Sequence, residues 1–297
     1  MNSLSKQKNI LIITFLVLPV CLLVAFVIYP LMDLIKTSVT NWDGMSSTSD
    51  FVGFSNYVKM FTSSSDVWLA LRNNAIYLFG HLVFIPLELM IALILENKLR
   101  GSKFFKTVTF MPYIINGVAI SYTFAFFLSP INGGFNGILE ALGLDFVIRN
   151  WLSDPLIVNF TLLFVSVWRY SGVHILLFIA GLQSIPEEQK EAALIDGANA
   201  FQTFRYIIVP GVRRVLEVVL FLNVRGGLQV FDIPFVMTQG GPGNASSTFS
   251  VYTLNQAFQF KDFGMASAMG VTLMILIILV NKIQNMALNI KGVDDKG

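Results

Sequence analysis

The sequence predicts an all-α membrane protein, a polytopic bundle of six transmembrane helices that forms a single domain over residues 1–297, with a core at about 69–287. Two observations carry this prediction. Hydrophobic residues make up 55% of the chain and charged residues 13%, and the mean hydropathy is +0.68, which is too apolar for a fold that exposes polar residues to water. The apolar residues also gather into runs long enough to cross about 30 Å of hydrocarbon.

The predicted spans occupy residues 10–35, 74–95, 107–128, 156–182, 215–237 and 263–283. The first run follows two lysines, but it is longer than the roughly 7–15 apolar residues of a signal peptide and no A-x-A cleavage site follows it. We therefore expect a retained helix. Pro19, Pro86 and Pro112 lie inside three of the runs. Spanning helices tolerate proline because neighbouring helices satisfy the freed backbone groups.

The distribution of Lys and Arg predicts the orientation, because cytoplasmic loops carry an excess of both. If the N-terminus lies inside, thirteen of the twenty basic residues fall in inner segments: Lys6, Lys8, Lys98, Arg100, Lys103, Lys106, Lys190, Arg205, Arg213, Arg214, Lys282, Lys291 and Lys296. The outer segments contain five: Lys36, Lys59, Arg72, Arg149 and Lys261. We therefore expect the N- and C-termini in the cytoplasm.

Composition argues against several classes of protein. The net charge is +2 and the basic residues are dispersed along the chain, so no nucleic-acid-binding surface is expected. The single cysteine, Cys21, lies within the first apolar run, where we expect an inert packing residue. The glycine-rich run 240–243 is not followed by Lys and Ser or Thr, so it is not a phosphate-binding loop. No Walker A motif occurs anywhere in the sequence, so if ATP drives the protein, another polypeptide must bind it.

Three outer segments are long, at residues 37–72, 129–155 and 238–262. They contain Trp42, Trp68 and Trp151 near predicted helix ends, as is typical of aromatic residues at a membrane interface. Their composition fits simple connections and a docking face for an external partner equally well.

The inner segment 185–210, between the fourth and fifth spans, has the most specific pattern in the chain. Pro186 followed by two glutamates predicts a helix start, because acidic side chains in the first turn are favoured by the helix dipole. Gly197 and Pro210 mark a break and a second end. The pattern predicts a short helix, a turn and a second helical piece along the membrane surface.

The spacing within this segment resembles the EAA loop of the permease subunits of binding-protein-dependent ABC importers. Glu191-Ala192-Ala193, Gly197, Ile207 and Pro210 match that loop, and Val209 stands where leucine is usual. The resemblance implies a short cytoplasmic coupling helix between helices 4 and 5 that docks on a partner ATPase. The residues implied in coupling are Glu191, Ala192, Ala193, Asp196, Gly197, Ile207 and Pro210.

The resemblance extends over nearly the whole chain and is to the maltose-type sugar permeases in their six-helix form. Matching stretches include Tyr29-Pro30-Leu31, Asn41-Trp42-Asp43-Gly44, Pro86-Leu87-Glu88-Leu89, Phe231-Asp232 and Thr238-Gln239-Gly240-Gly241-Pro242-Gly243. The family implies a bacterial plasma-membrane protein with a second homologous permease, two cytoplasmic ATPase subunits, an extracytoplasmic solute-binding protein, and a sugar or oligosaccharide as substrate. It implies no catalysis and no cofactor in this chain, since ATP and Mg²⁺ would bind the ATPases.

Polar residues inside a membrane are costly and are candidates for function. The resemblance places the sugar-facing surface on the two helices that flank the coupling loop, and the implied substrate-binding residues are Trp168, Arg169, Tyr170, Asn223, Arg225, Gly226, Gly227 and Gln229. We expect the two aromatic residues to stack on a sugar ring, and Asn223 and Gln229 to bond hydroxyl groups. Arg225 has two interpretations, binding of an anionic sugar or an ion pair with Glu217.

Other intramembrane polar residues favour a structural interpretation. His81, Glu88 and His174 are expected to satisfy neighbouring helices and not to contact substrate. A secondary carrier would require inverted repeats with interrupted helices, which the sequence does not reveal. An intramembrane enzyme would require a nucleophile and base or a metal set, and none is apparent. Within the importer class, another polar solute such as a glycerol phosphate ester stays open.

Overall fold

The structure is a computed structural model that describes residues 2–96 and 100–289. This described part contains helices, turns and one isolated β-bridge between Thr40 and Phe51, and it contains no β-strand. The predicted all-α class is therefore confirmed. Three of the basic residues used to predict the orientation, Lys98, Lys291 and Lys296, lie outside the described residues.

The α-helices of the described chain are α1 Asn2–Leu23, α2 Tyr29–Thr37, α3 Ser55–Thr62, α4 Ser65–Glu96, α5 Ser102–Ile114, α6 Gly117–Phe127, α7 Gly134–Ala141, α8 Val158–Gln183, α9 Glu187–Ile195, α10 Ala200–Thr203, α11 Val209–Gly211, α12 Arg213–Gln229, α13 Asp232–Thr238, α14 Phe249–Phe258 and α15 Phe263–Asn289. A π-helical turn, Val24–Ile28, joins α1 to α2 just before Pro30. A second, Phe204–Ile208, joins α10 to α11 just before Pro210. Proline has no N–H to donate to the carbonyl of the preceding helical turn. In both places this missing hydrogen bond coincides with the π-helical turn.

Within the described residues, five helical stretches are long and apolar enough to cross a membrane: Leu11–Thr37, Ser65–Glu96, Val158–Gln183, Arg213–Thr238 and Phe263–Met286. They agree with five of the six predicted spans.

The remaining predicted span, residues 107–128, is not one straight helix. It falls on α5 and α6, which are bent by 96° at the break between them. The bend occurs because Ile115 is extended and Asn116 starts a new helix, its side chain accepting the N–H of Val118 at 2.9 Å. The chain reaches six spans if this bent pair is one of them.

The predicted span 215–237 is also interrupted. Helix α12 ends at Gln229, Val230 is extended, and α13 begins at Asp232, whose carboxylate accepts the N–H of Ile233 at 3.0 Å. Interrupted helices are thus present, although the sequence did not reveal them.

The described chain divides into two compact units. The first comprises the residues up to 64 together with 253–274. Within it, the Asn56 amide donates to the carbonyls of Ser38 and Thr40 at 2.9 and 2.8 Å and fixes α3 against the end of α2. Gly264 lies against the Thr40 carbonyl, where a Cβ atom would not fit.

The second unit comprises residues 65–252 and those from 275 onward, and α4, α8 and α12 pack against one another in it. One apolar cluster surrounds Tyr77, Leu162 and Ile233, and another surrounds Phe178 and Leu182. Gly227 lets α12 approach the backbone of α4 at Leu78, where a Cβ would lie 2.8 Å from the Cα atom. Small residues allow such close helix contacts in membranes.

The three segments predicted to lie outside, called the outer segments below, contain short helices in addition to connecting turns. Helix α3 lies in the first, α7 in the second and α14 in the third. The indole of Trp42 donates to the Ser46 carbonyl at 2.9 Å, and that of Trp151 donates to the Asn136 side chain at 2.7 Å. Trp68 is 55% exposed near the start of α4.

Residues 185–210 have the predicted organisation of helix, turn and second helical piece. Helix α9 starts directly after Pro186, and Gly197 adopts a φ of +78°, which favours glycine. Asn199 and Gln202 then form a capping box at the start of α10, each side chain bonding the other residue's backbone N–H at 2.8–2.9 Å. The two pieces are therefore joined by a defined turn.

Candidate functional site

A cavity of about 510 Å³ lies within the second unit, at the break between α12 and α13. Helices α4, α5 and α8 supply its other walls. The polar, charged and aromatic residues that line it, together with two glycines, are Tyr77, His81, Tyr113, Ser166, Tyr170, His174, Asn223, Arg225, Gly226, Gly227, Gln229, Phe231 and Asp232.

Six of the eight substrate-binding residues implied by the resemblance line this cavity: Tyr170, Asn223, Arg225, Gly226, Gly227 and Gln229. Trp168 and Arg169 are not among the lining residues. Residues two apart on a helix point in nearly opposite directions, so Trp168 cannot share the direction of Tyr170. Its ring instead contacts Phe124, with centroids 5.2 Å apart.

Aromatic side chains form part of the cavity wall. The Tyr170 ring lies 6.2 Å from that of Tyr113 and 6.3 Å from the imidazole of His81. Sequence reasoning missed six of the polar and aromatic lining residues, two of them the histidines assigned a structural role: Tyr77, His81, Tyr113, Ser166, His174 and Phe231. A signal was present on α4, where Asn74, Tyr77, His81 and Glu88 follow one another at helical spacing and mark one polar face.

Two buried polar groups that face the cavity have no hydrogen-bond partner among the described residues. These are the amide of Asn223, both its nitrogen and its oxygen, and the hydroxyl of Tyr77. Buried polar atoms in proteins are nearly always satisfied, so unsatisfied ones in a cavity wall are suited to a solute or ordered water.

His81, Glu88 and His174 are hydrogen-bonded between α4 and α8, as the structural interpretation predicts. Glu88 accepts from the Ser171 hydroxyl at 2.6 Å and lies 3.0 Å from Nδ1 of His174. His81 Nε2 lies 2.9 Å from the Ser166 hydroxyl. The side chain of Glu88 is 2% exposed, so these contacts satisfy polar atoms that burial removes from water.

Arg169 forms an ion pair with Asp232 that connects α8 to the start of α13. Arg169 also donates to the Tyr170 hydroxyl at 3.0 Å. Gly117, the first residue of α6, lies directly against both ion-pair side chains, and a Cβ there would overlap them. The ion pair therefore lies where both interrupted helices meet α8.

The predicted alternative of an Arg225–Glu217 ion pair is wrong. Glu217 pairs with Arg213 at 3.3 Å, and Arg225 Nε donates to the Gln229 side chain at 3.2 Å. Eight residues of helix separate Arg225 from Glu217, a rise of about 12 Å, which explains why they do not meet. Arg213 lies four residues from Glu217, and Gln229 lies four residues from Arg225. Residues at this spacing are neighbours on a helix surface, so each pair can meet.

Five of the seven residues implied in coupling lie on α9 and the turn that follows it, while Ile207 lies in the π-helical turn Phe204–Ile208 and Pro210 lies in α11. Glu191, Ala192, Asp196, Gly197 and Pro210 are exposed, while Ala193 and Ile207 are half-buried. Sequence reasoning missed the exposed apolar side chains on this segment. They are Leu194, Ile195, Phe201 and Tyr206, and Ile195 is 85% exposed.

Residues 3–287 match the protein family described as binding-protein-dependent transport system inner membrane component. This chain belongs to that family. It is a multi-pass membrane component of a transport system, and the family assignment removes the secondary carrier and the intramembrane enzyme from consideration.

Similar family members cover nearly all of the chain. The probable ABC transporter permease protein YurN of Bacillus subtilis is 34% identical over 94% of this chain and 96% of its own length. The multiple sugar-binding transport system permease protein MsmF of Streptococcus mutans is 32% identical over 91% of this chain and 92% of its own. The diacetylchitobiose uptake system permease protein NgcF of Streptomyces coelicolor is 33% identical over 95% and 85%.

A solved structure shares the fold. The crystal structure of a bacterial ABC transporter involved in the import of the acidic polysaccharide alginate contains a chain with a TM-score of 0.83 to this one. The match covers 96% of this chain and 97% of that one at 21% identity. A second structure of such a transporter, in complex with an alginate pentasaccharide-bound periplasmic protein, matches with the same TM-score.

Proposed function

We propose that this inner membrane component is a permease subunit of an ATP-driven ABC importer, and that it translocates a sugar or oligosaccharide delivered by an extracytoplasmic solute-binding protein. The observation that carries the proposal is the cavity at the α12–α13 break, whose walls α8 and α12 directly flank the coupling segment. The names of the relatives, which include multiple sugar-binding and diacetylchitobiose uptake systems, support the class of solute.

The cavity wall suits a carbohydrate. Tyr170 and Tyr113 offer aromatic faces to the apolar side of a sugar ring, while Asn223, Gln229 and Tyr77 offer donors and acceptors to its hydroxyl groups. Because the Asn223 amide and the Tyr77 hydroxyl have no partner among the described residues, a bound hydroxyl would replace no existing protein contact.

The proposed partners are a second homologous permease, two cytoplasmic ATPase subunits and the solute-binding protein. In this proposal residues 185–210 form the coupling loop, residues of about 69–287 form the transport core, and the ATPases bind ATP and Mg²⁺. Closure of the ATPase dimer moves α9, and α9 moves the cavity helices on either side of it.

Such a coupling segment must be stiff enough to transmit a displacement. The capping box at Asn199 and Gln202 fixes the turn, and Lys190 lies 3.3 Å from Glu187 and 4.0 Å from Glu96 at the end of α4. Ile207 packs on the buried cluster around Phe178 and Leu182. These contacts support movement of the segment as one piece.

ATP-dependent uptake of labelled neutral oligosaccharides, in cells that carry the whole transporter, tests the proposal. We expect Glu191→Arg to lower uptake at least about tenfold while the assembled complex still reaches the membrane, because reversing a charge at a docking surface disrupts its partner contacts. The matched control is Glu140→Arg, the same charge reversal at an exposed position of α7 and outside the coupling segment, for which we expect uptake within about twofold of wild type. Undiminished uptake in the Glu191 variant would contradict the coupling role.

A further inference from the structure

Arg225 occupies one edge of the cavity-facing side of α12. It is exposed and lines the cavity, and so does Gln229 one turn later. At 100° per residue, Gly226 lies near the centre of the same side and Asn223 on its opposite edge. The guanidinium is therefore held beside the space that a solute would occupy.

The charge of Arg225 is not neutralised by an acidic side chain in the described part of the chain. Its hydrogen-bond partner there is Gln229, a neutral acceptor, which engages Nε. Glu217 is engaged by Arg213. The terminal nitrogens of Arg225 have no hydrogen bond among the described residues.

The acids near the cavity are already paired. Asp232, which lines it, forms the ion pair with Arg169. Glu88 lies behind the wall, where it contacts His174 and accepts from Ser171. Of the arginine and aspartate side chains that line the described cavity, Arg225 is therefore the one without an oppositely charged partner among the described residues.

An uncompensated cation within a membrane-spanning helix is costly, so its presence calls for a ligand. Arginine presents its N–H groups as a planar fork that fits the two oxygens of a carboxylate, a sulfate or a phosphate. The Gln229 side chain accepts the hydrogen bond from Arg225 Nε and thereby orients the guanidinium. The two terminal nitrogens stay available to a ligand.

There is space for such a ligand beside the guanidinium. A Cβ atom added to Gly226 would meet nothing within 4 Å. The same cavity is lined by Asn223 and Tyr77, whose amide and hydroxyl are buried and without hydrogen-bond partners among the described residues. An acidic sugar would place its oxyanion on Arg225 and its hydroxyl groups on these two residues.

We propose that the solute of this cavity carries an oxyanion, such as the carboxylate of a uronic acid or a sulfate or phosphate ester, and that Arg225, oriented by Gln229, determines this specificity. The inference rests on the proposed import function and narrows its substrate class. The contact is one of binding, and no covalent step is involved.

The test uses pairs of trisaccharides in cells that carry the whole transporter with its binding protein. Each pair consists of an anionic trisaccharide, which carries a uronate, sulfate or phosphate group, and its uncharged parent. ATP-dependent uptake of both members is measured. We expect wild type to favour the anionic member of at least one pair, and Arg225→Gln to lower the ratio of anionic to neutral uptake by about tenfold or more, because charge-assisted bonds to an oxyanion are lost.

A second variant keeps the arginine and gives it a permanent partner. Gln229→Glu places a carboxylate four residues from Arg225, at the position where the amide now bonds it, and we expect a similar fall in the ratio. This variant decides the matter if Arg225→Gln fails to assemble. The matched control is Arg214→Gln, which removes an exposed positive charge from the first turn of the same helix and is expected to leave the ratio unchanged.

The outcomes separate this inference from the proposed function. Wild-type uptake of neutral trisaccharides alone would overturn the charge specificity and leave the import function standing. Absence of uptake for every member of the panel would overturn both. An unchanged ratio in assembled Arg225→Gln, or an equal loss of both members, would show that Arg225 does not discriminate by charge.

Discussion

Asp43 organises the turn at residues 43–46 in the first outer segment. Its carboxylate accepts the N–H of Ser46 at 2.7 Å, the N–H of Met45 at 2.9 Å and the Ser46 hydroxyl at 2.7 Å. These bonds, that from the Ser46 N–H first, lower the pKa of Asp43 from 3.8 to about 2. A lowered pKa in the folded state stabilises the turn above about pH 4, and this contribution is lost as the pH falls through about 2.

We therefore expect the amides of Met45 and Ser46 to be protected from hydrogen exchange at pH 5 and to lose that protection between about pH 4 and pH 2, after correction for intrinsic exchange rates. Asp43→Asn keeps one acceptor oxygen but cannot titrate, so its protection should be lower at pH 5 and nearly constant over this range. Identical pH profiles for the two proteins would contradict the role given to the carboxylate.

The ion pair of Arg169 and Asp232 makes a second prediction for single residues. The side chains are 12% and 29% exposed, so Asp232→Asn leaves the arginine charge largely buried without a counter-charge. We expect this variant to lose about 3 kcal/mol of stability, seen as a lower unfolding temperature of the purified importer.

The double variant Arg169→Met with Asp232→Leu supplies the control for this pair. It removes both charges together, so we expect it to recover most of the lost unfolding temperature. Equal destabilisation of the single and double variants would mean that packing, and not the uncompensated charge, governs the site.

Individual residues also show what the sequence can predict about the site. The polar residues of α12 were identified because charged and amide side chains are conspicuous in an apolar run. Trp168 and Tyr170 are both aromatic and both near mid-helix, so composition does not separate them, and only the helical phase relative to α4 assigns Tyr170 to the cavity. Tyr113 was missed because its position depends on the bend after Ile114.

Asn74 connects α4 to the end of α12, one of the two interrupted helices. Its amide donates to the carbonyls of Gly227 and Leu228 at 2.8 and 3.0 Å, and its oxygen accepts the N–H of Phe249 at 2.7 Å. A helix that ends inside a membrane leaves carbonyls without helical partners, and this side chain satisfies two of them.

We expect Asn74→Ala to destabilise the protein by at least about 3 kcal/mol, because three buried backbone groups lose their partner. The purified complex should unfold at a lower temperature and yield less assembled protein. Asn150→Ala, which truncates the same side chain at an exposed position, is the control and should behave as wild type. An Asn74→Ala protein as stable as that control would show that the α12 terminus is satisfied in another way.

The hydropathy pattern does not predict the two helix interruptions, between α5 and α6 and between α12 and α13. Residues 107–128 are apolar on both sides of Asn116. A single asparagine in such a run can either start a new helix or be a polar residue on the surface of a continuous one, and the sequence does not distinguish the two. At Val230 even that signal is missing, since valine is common in spanning helices. The break there depends on Asp232 pairing with Arg169 and on Asn74 bonding the carbonyls of α12, which are contacts between residues far apart in the sequence.

At the level of the whole chain, hydropathy and the EAA spacing were enough to predict the class, and the family match over residues 3–287 confirms it. The orientation of the chain across the membrane stays a prediction, and it rests on the excess of Lys and Arg in alternate connecting segments. It also decides whether α9 faces the compartment that contains ATP, so the proposed coupling requires it.

The single cysteine makes the orientation directly testable. In a Cys21→Ala background, single cysteines at Ser47, Asn150 and Glu188 place one exposed thiol in the first outer segment, one in the second and one on α9. We expect a membrane-impermeant maleimide to label the first two in intact cells and to label the third only after permeabilisation, because α9 belongs to the positively charged, cytoplasmic side. Labelling of Glu188→Cys from outside would reverse the orientation, and since an ATPase could not then reach α9, it would also refute the coupling role of this segment.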